Sequence, residues 1–374
     1  MPDRYQYPEL RSCLQLIKPY IPGKPVEEVE RELGVTGAIK LASNENPLGP
    51  SPLALERLQR SFQHIHYYPD GRGYYLKKTL SEKWGVKEEQ LVTGNGSDEL
   101  LSLISQAYLN PGEEAAMVHP TFSEYEFAVY KAGGTPKYIP LEGENFEYNL
   151  EAIFSQLTER TRLVFICSPN NPTGTIVGRK ELERFLDRLP SRLLVVLDEA
   201  YGEYVAGPDY GLGLDFIKQN RPVVSIRTFS KIYGLAGLRI GYAIASEKIA
   251  SELNRIREPF NVNSLAQAAA LAALADEKHL QNSLSLVREG KRQLARGLAE
   301  LGLTPVPSEA NFYFVDIKAD SQKVFERLLQ RGVIIRTGEV FGYPTYIRVT
   351  IGTEHQNRRF LEALADVLKE IRLG

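Results

Sequence analysis

Residues 192–199, "RLLVVLDE", are apolar from Leu193 to Leu197 and end on two adjacent carboxylates. A strand with one wet face alternates apolar and polar residues. An unbroken apolar run closed by charge suits a strand covered on both sides. Runs of the same kind lie to either side: "QLVTG" (90–94), "AAMVH" (115–119), "RLVFICS" (162–168), "PVVSIRT" (222–228) and "IGYAIA" (240–245). Helical patterns at 73–84, 97–109, 122–132 and 178–188 are interspersed with them. Apolar strands alternating with helices predict an α/β fold, a mainly parallel sheet between helices.

The ends of the chain differ from this middle. Before residue 53, Pro19, Pro22, Pro25, Pro47, Pro50 and Pro52 predict an extended arm and turns around one short helix near 26–33. An alanine-rich helix is expected near 264–276 and a long one at 279–302. After these, "NFYFVDI" (311–317), a helix at 320–331, "VIIRT" (333–337), "YIRVTIG" (346–352) and a helix at 354–371 suggest a small α+β domain. The expected division is an arm and part of the small domain at 1–52, a large domain at 53–275 and the small C-terminal domain at 276–374.

Composition narrows the function. The 374 residues suit one large domain with a smaller one. Forty-five basic and 47 acidic side chains leave a net charge of −2, so nothing points to nucleic acid or an anionic membrane. No apolar run approaches the length of a membrane span, and "MPDRYQYPELRSC" has no apolar signal core. Two cysteines, Cys13 and Cys167, are too few for a disulfide framework or a zinc site, which fits a reducing cytoplasm. "HIH" (64–66) has no third ligand in view, so no metal is expected.

Four clusters fall where strands of such a sheet meet helices, the place where ligands bind. "TGNGSDELL" (93–101) runs through glycines into a helix start, with Ser97 as cap or as anion donor. "CSPNNPTG" (167–174) is a turn that puts Asn171 at a strand end. Asp198 follows a fully apolar strand, where an ionised carboxylate is costly without a cation, and Tyr201 comes three residues later. "TFSKIYGLAGLR" (228–239) sets Lys231 among small and apolar neighbours, followed by Arg239. Singly these read as a cap, a turn, a capping aspartate and a loop lysine. Together they match a cofactor with an aldehyde, a basic ring nitrogen and a phosphate, which is pyridoxal 5′-phosphate. Lys231 would form the Schiff base and Asp198 would keep the ring nitrogen protonated. Asn171 and Tyr201 would meet the ring hydroxyl, and Ser97, Thr228, Ser230 and Arg239 the phosphate.

"LASNENPLGP" (41–50), "YYPDGRG" (67–73), "GNGSDE" (94–99), "HPTFSEY" (119–125), "NNPTG" (170–174), "DEAY" (198–201), "TFSKIYGLAGLRIGY" (228–242) and "IRVTIGT" (347–353) carry a family likeness. Over nearly its whole length the chain resembles the fold-type-I pyridoxal-phosphate aminotransferases of the aspartate aminotransferase superfamily. "LIKPYIPGKPVEEVERELG" (16–34) with "KLASNENPLGPSP" (40–52) is similar to the histidinol-phosphate aminotransferase branch. The resemblance implies a seven-stranded, mainly parallel sheet and a homodimer with active sites at the subunit interface. It places Gly96, Ser97 and Asp98 at the cofactor, Phe122 stacked on its ring, and Tyr68 at the partner's cofactor phosphate. Phe122 stands where many relatives carry tyrosine. Arg348 matches the reader of the substrate carboxylate, and Tyr20, Asn46 and Arg336 match positions near the substrate. The implied reaction is ping-pong amino transfer from L-histidinol phosphate to 2-oxoglutarate, giving imidazole-acetol phosphate and L-glutamate. Aromatic amino acid aminotransferases and threonine-phosphate decarboxylases share these motifs and are the rival readings. A transcription regulator with such a module would need a DNA-binding domain, for which the proline-rich arm is too short.

Overall fold

A computed structural model describes residues 8–17, 19 and 23–373 of the chain. Its first strand, β1 (Ile39–Lys40), belongs to a small unit. The next seven, β2 (Leu91–Gly94), β3 (Glu114–His119), β4 (Thr135–Pro140), β5 (Thr161–Cys167), β6 (Leu194–Asp198), β7 (Val223–Thr228) and β8 (Gly241–Ile244), form one sheet. Their order is β2-β8-β7-β6-β5-β3-β4, with β8 antiparallel to both neighbours and every other pair parallel.

The apolar runs have the cause inferred from sequence. Along β5, Leu163, Phe165 and Cys167 enter one hydrophobic cluster while Val164 and Ile166 enter another. Along β6, Leu194 and Val196 join the first and Val195 and Leu197 the second. Side chains alternate across a strand, so each strand feeds two cores, and a polar residue on either face needs a partner. Burying each such side chain stabilises by about 1.5–3 kcal/mol before chain entropy is counted.

The carboxyl ends of the central strands therefore lie side by side, with Cys167 opposite Asp198 in register and Asp198 opposite Ile226. Helix Ser97–Tyr108 starts at Gly96, whose φ of 81° belongs to the left-handed half of backbone space.

The small unit is built from both ends of the chain. Helix Glu277–Glu300 leads into β9 (Phe312–Asp316), β10 (Val333–Ile334), β11 (Arg336–Thr337) and β12 (Tyr346–Thr350), and helix Glu354–Leu373 closes it. β11, β12 and β9 form an antiparallel sheet, while β10 pairs in parallel with β1. The single run expected at 333–337 is thus two strands, because its halves pair with different partners. Leu41 O also accepts from Thr350 N at 2.9 Å, which ties residues next to β1 to β12.

Candidate active site

A cavity of about 250 Å³ opens where β5, β6 and β7 end, and residues of the small unit complete its wall. Asp198, the last residue of β6, is 2% exposed. Tyr125 Oη donates to its Oδ2 at 2.7 Å and Ala200 N to its Oδ1 at 3.1 Å. Burial still pushes its carboxyl up to about 6. Among the described residues it makes no ion pair, so the site holds a buried acid without a cation.

Glu199 goes the other way. Strand alternation turns it to the opposite face, where Arg227 Nη1 lies 3.3 Å from its Oε2 and Gly213 N donates to Oε1 at 3.0 Å. Arg227 also reaches Glu203 at 3.1 Å and sits over the Trp84 ring, whose Nε1 donates to Tyr242 Oη. The two adjacent carboxylates share no site.

Lys231 follows β7 and borders the cavity. Its Nζ donates to Ser43 O at 3.1 Å and lies 5.6 Å from the centre of the Tyr201 ring. Although the side chain opens to the cavity, enclosure by protein strips much of its water. That desolvation, aided by the Arg348 charge, lowers its pKa to about 8. In cofactor-free protein the pH dependence of Lys231 acetylation, read by mass spectrometry, is therefore expected to have its midpoint near 8. A midpoint above 10 would contradict this environment.

A third group gathers at the start of helix Ser97–Tyr108. Ser97, Asp98, Thr228, Ser230 and Arg239 all border the cavity, and Thr228 Oγ1 accepts from Ser230 N at 3.0 Å. Arg239 pairs with Asp98 at 2.9 Å, but both side chains are 44% exposed, so this pair is weak enough to exchange partners. A Cβ at Gly96 would come within 2.5 Å of Arg239 Nη2, so the glycine leaves the guanidinium its place.

The far wall joins both units. Arg348 on β12 is buried; one of its Nη atoms donates to Asn171 Oδ1 and the other to Ala42 O at 2.5 Å. Tyr201 Oη accepts from Asn44 Nδ2 at 2.9 Å, and burial raises the pKa of the phenol. Phe122 flanks the cavity edge-on to Tyr125, at 5.7 Å between centroids, and Arg336 completes the wall.

Two expected residues lie elsewhere, and a third is not among those described. Asn46 is turned away from the cavity because its amide donates to Ile232 O at 2.7 Å and Ser283 Oγ at 2.8 Å, bracketing two segments together. Tyr68 is 84% exposed and stacks on Phe260 outside this chain's cavity. Tyr20 falls outside the described residues. Conversely, Asn44 and Tyr125 were not singled out from sequence. Asn44 sits in the same "ASNENP" as Asn46, and Tyr125 follows Phe122 by three residues, at the start of helix Glu124–Ala132, a spacing that could have flagged it.

The residues fit a flat group with a cationic ring nitrogen and an anionic arm: Asp198 lacks a cation, and Gly96 keeps an open cradle beside Arg239. The sequence model of aminotransferase class I and II matches residues 36–364. The chain belongs to this aminotransferase family. It is 55% identical to the histidinol-phosphate aminotransferase of Moorella thermoacetica, an alignment covering 96% of this chain and 93% of that one. The like-named protein of Caldicellulosiruptor saccharolyticus is 46% identical, covering 96% and 99%. The fold of this aminotransferase matches the crystal structure of histidinol-phosphate aminotransferase from Sinorhizobium meliloti in complex with pyridoxal 5′-phosphate. That match has a TM-score of 0.90 at 27% identity and covers 98% and 99% of the two chains. Aspartate aminotransferase from Thermotoga maritima follows with a TM-score of 0.83 at 26% identity, covering 96% and 100%. The architecture of the aminotransferase is thus the fold-type-I one, a mainly parallel seven-stranded sheet with a small second unit.

Proposed function

We propose that this aminotransferase uses pyridoxal 5′-phosphate to move the amino group of L-histidinol phosphate to 2-oxoglutarate, giving imidazole-acetol phosphate and L-glutamate. The observation that carries the reading is the pairing, in one cavity, of a desolvated lysine amine with a buried carboxylate that lacks a cation. Identities of 44–55% to relatives bearing that name support the choice of donor.

When bound, the cofactor supplies an electron sink that makes the donor's amine-bearing carbon acidic. Asp198 would hold the proton on its ring nitrogen, and Tyr125 keeps that carboxylate in place. Asn171 and Tyr201 would hold the ring hydroxyl, Phe122 would pack against the ring, and Gly96, Ser97, Asp98, Thr228, Ser230 and Arg239 would hold the phosphate. Nζ of Lys231 is the covalent anchor. A pKa of about 8 leaves it able both to take the proton from the donor's carbon and to return it. Arg348, held by Asn171 and Ala42, presents a fixed planar fork to phosphate in one half-reaction and to carboxylate in the other. Arg336 assists it, and Tyr20 is kept with them as a substrate contact. The division at residues 52 and 275 belongs to the same reading.

A homodimer in the cytoplasm completes the proposal. Exposed Ile65, Tyr67, Tyr68 and Tyr75 support a covered face there, with Tyr68 directed to the partner's cofactor phosphate. Free Cys13 and Cys167 suit a reducing compartment, and no helix among the described residues is long and apolar enough to cross a membrane.

Offered L-histidinol phosphate, L-phenylalanine and L-tyrosine side by side with pyridoxal phosphate and 2-oxoglutarate, the protein is expected to favour histidinol phosphate by about 100-fold or more in kcat/KM. A preference for the aromatics would move the function to aromatic amino acid transamination. Carbon dioxide release without an oxo acid would make it a decarboxylase.

A further inference from the structure

A second cavity of about 400 Å³ shares a wall with the first, because Phe122, Asn171, Arg336 and Arg348 border both. Leu16, Ile17 and Pro19 of the N-terminal segment also line it. Among the described residues four charged ones border this lobe, the two arginines and the carboxylates of Glu124 and Glu126 in the first turn of helix Glu124–Ala132.

The two carboxylates are not equivalent. Glu126 lies close to the phenols of Tyr130 and Tyr138, and its charge helps to raise the pKa of both. Glu124, among the described residues, accepts no hydrogen bond and meets no cation. Burial, with Asp98 nearby, pushes its carboxyl up to about 7. Half-buried at the edge of this lobe, such a carboxylate gains when a ligand supplies a donor in place of water. Around it stand aromatic side chains, Phe122, Phe127 and Tyr130.

We propose that Glu124 selects the amino donor by accepting a hydrogen bond from an imidazole N–H in this lobe, while the arginines of the shared wall take the donor's phosphate. The inference rests on the function proposed above and names the residue that sets its donor. A lobe with arginines, aromatic walls and a carboxylate unengaged among the described residues matches a molecule with an anionic arm and a flat ring bearing N–H. A phenyl ring fills the same walls but leaves Glu124 desolvated and without a donor, which counts against aromatic amino acids. 2-Oxoglutarate has no donor to offer Glu124 and gains nothing from it.

The test is Glu124→Gln in the full-length holoenzyme, with single-turnover kinetics of each half-reaction. L-Histidinol phosphate is compared with L-phenylalaninol phosphate, which keeps the phosphate arm but has no ring N–H. Loss of a charged hydrogen bond predicts a fall of about 10- to 100-fold in kcat/KM for histidinol phosphate. The phenyl analogue is expected to hold or improve, and the 2-oxoglutarate half-reaction to stay unchanged. Glu124→Leu should widen the contrast by favouring the phenyl ring further. Equal losses for both donors would mean that Glu124 only supports its helix start, and no loss would mean that it does not touch the donor; either overturns the proposal. If wild-type protein fails to convert histidinol phosphate, the functional reading falls and this one with it. If wild type converts it and Glu124→Gln matches wild type, only the role of Glu124 falls.

Discussion

Lys231→Ala is expected to abolish transamination, with kcat down by about 10⁴-fold or more and the visible absorption of the bound cofactor lost. Both effects have one cause. The only side-chain nitrogen of Lys231 is Nζ, which borders the cavity with a pKa lowered to about 8. No other lysine borders this cavity among the described residues, so no substitute amine stands ready. The variant is still expected to fold. A lysine whose folded pKa lies below its unfolded value binds fewer protons folded than unfolded, so wild-type cofactor-free protein gains stability as pH rises from about 8 towards 10.5. The variant should lack that gain in urea unfolding across the same range. Retained absorbance together with retained turnover would remove Lys231 from both roles.

Asp198→Asn should separate stability from activity. With cofactor added, kcat is expected to fall by about 10²- to 10³-fold, since an amide cannot hold the ring nitrogen's proton. Without cofactor the effect reverses. The carboxyl of Asp198 is raised from 3.8 to about 6, so the folded protein binds more protons than the unfolded chain between those values. Stability is therefore complete below pH 4 and declines as pH climbs to about 6, by roughly 3 kcal/mol. Asp198→Asn has no such decline and is expected to be the more stable protein at pH 7, while the two converge below pH 4. Urea titrations of the cofactor-free pair at pH 4 and pH 7 would show it. A wild type at least as stable as the variant at pH 7 would mean that the carboxylate is not strained by burial.

The central strands were legible because being covered on two faces leaves an unbroken apolar run, as in β5, β6 and β7. β4 was missed for the complementary reason. It is a sheet edge with prolines at Pro136 and Pro140 and largely uncovered side chains, so it has no such run. Helices Pro52–Ser61 and Glu247–Ile256 were also passed over, the former because prolines at 47, 50 and 52 read as turns although Pro52 opens the helix. In the site, residue types with narrow chemistry stood out from sequence: Lys231, Asp198 and Arg239. Asn44 and Asn46 could not be ranked that way. They are chemically identical and two residues apart, and only the fold turns one to Tyr201 and the other to Ile232. Tyr125 looked like any apolar helix residue because its one polar atom is spent on Asp198.

The salt bridge beneath β6 bears on how the chain finds its pairing. A strand that is apolar on both sides has no alternation to say which neighbour each residue should face, and a slip of one residue would exchange its two surfaces without exposing any hydrocarbon. Glu199 breaks that degeneracy. Slid by one position, it would arrive where Asp198 belongs, and buried Arg227 would keep only Glu203 of its two carboxylate partners. The pair thus acts as an alignment key, and the position of the aspartate is guarded by a contact on the other side of the sheet.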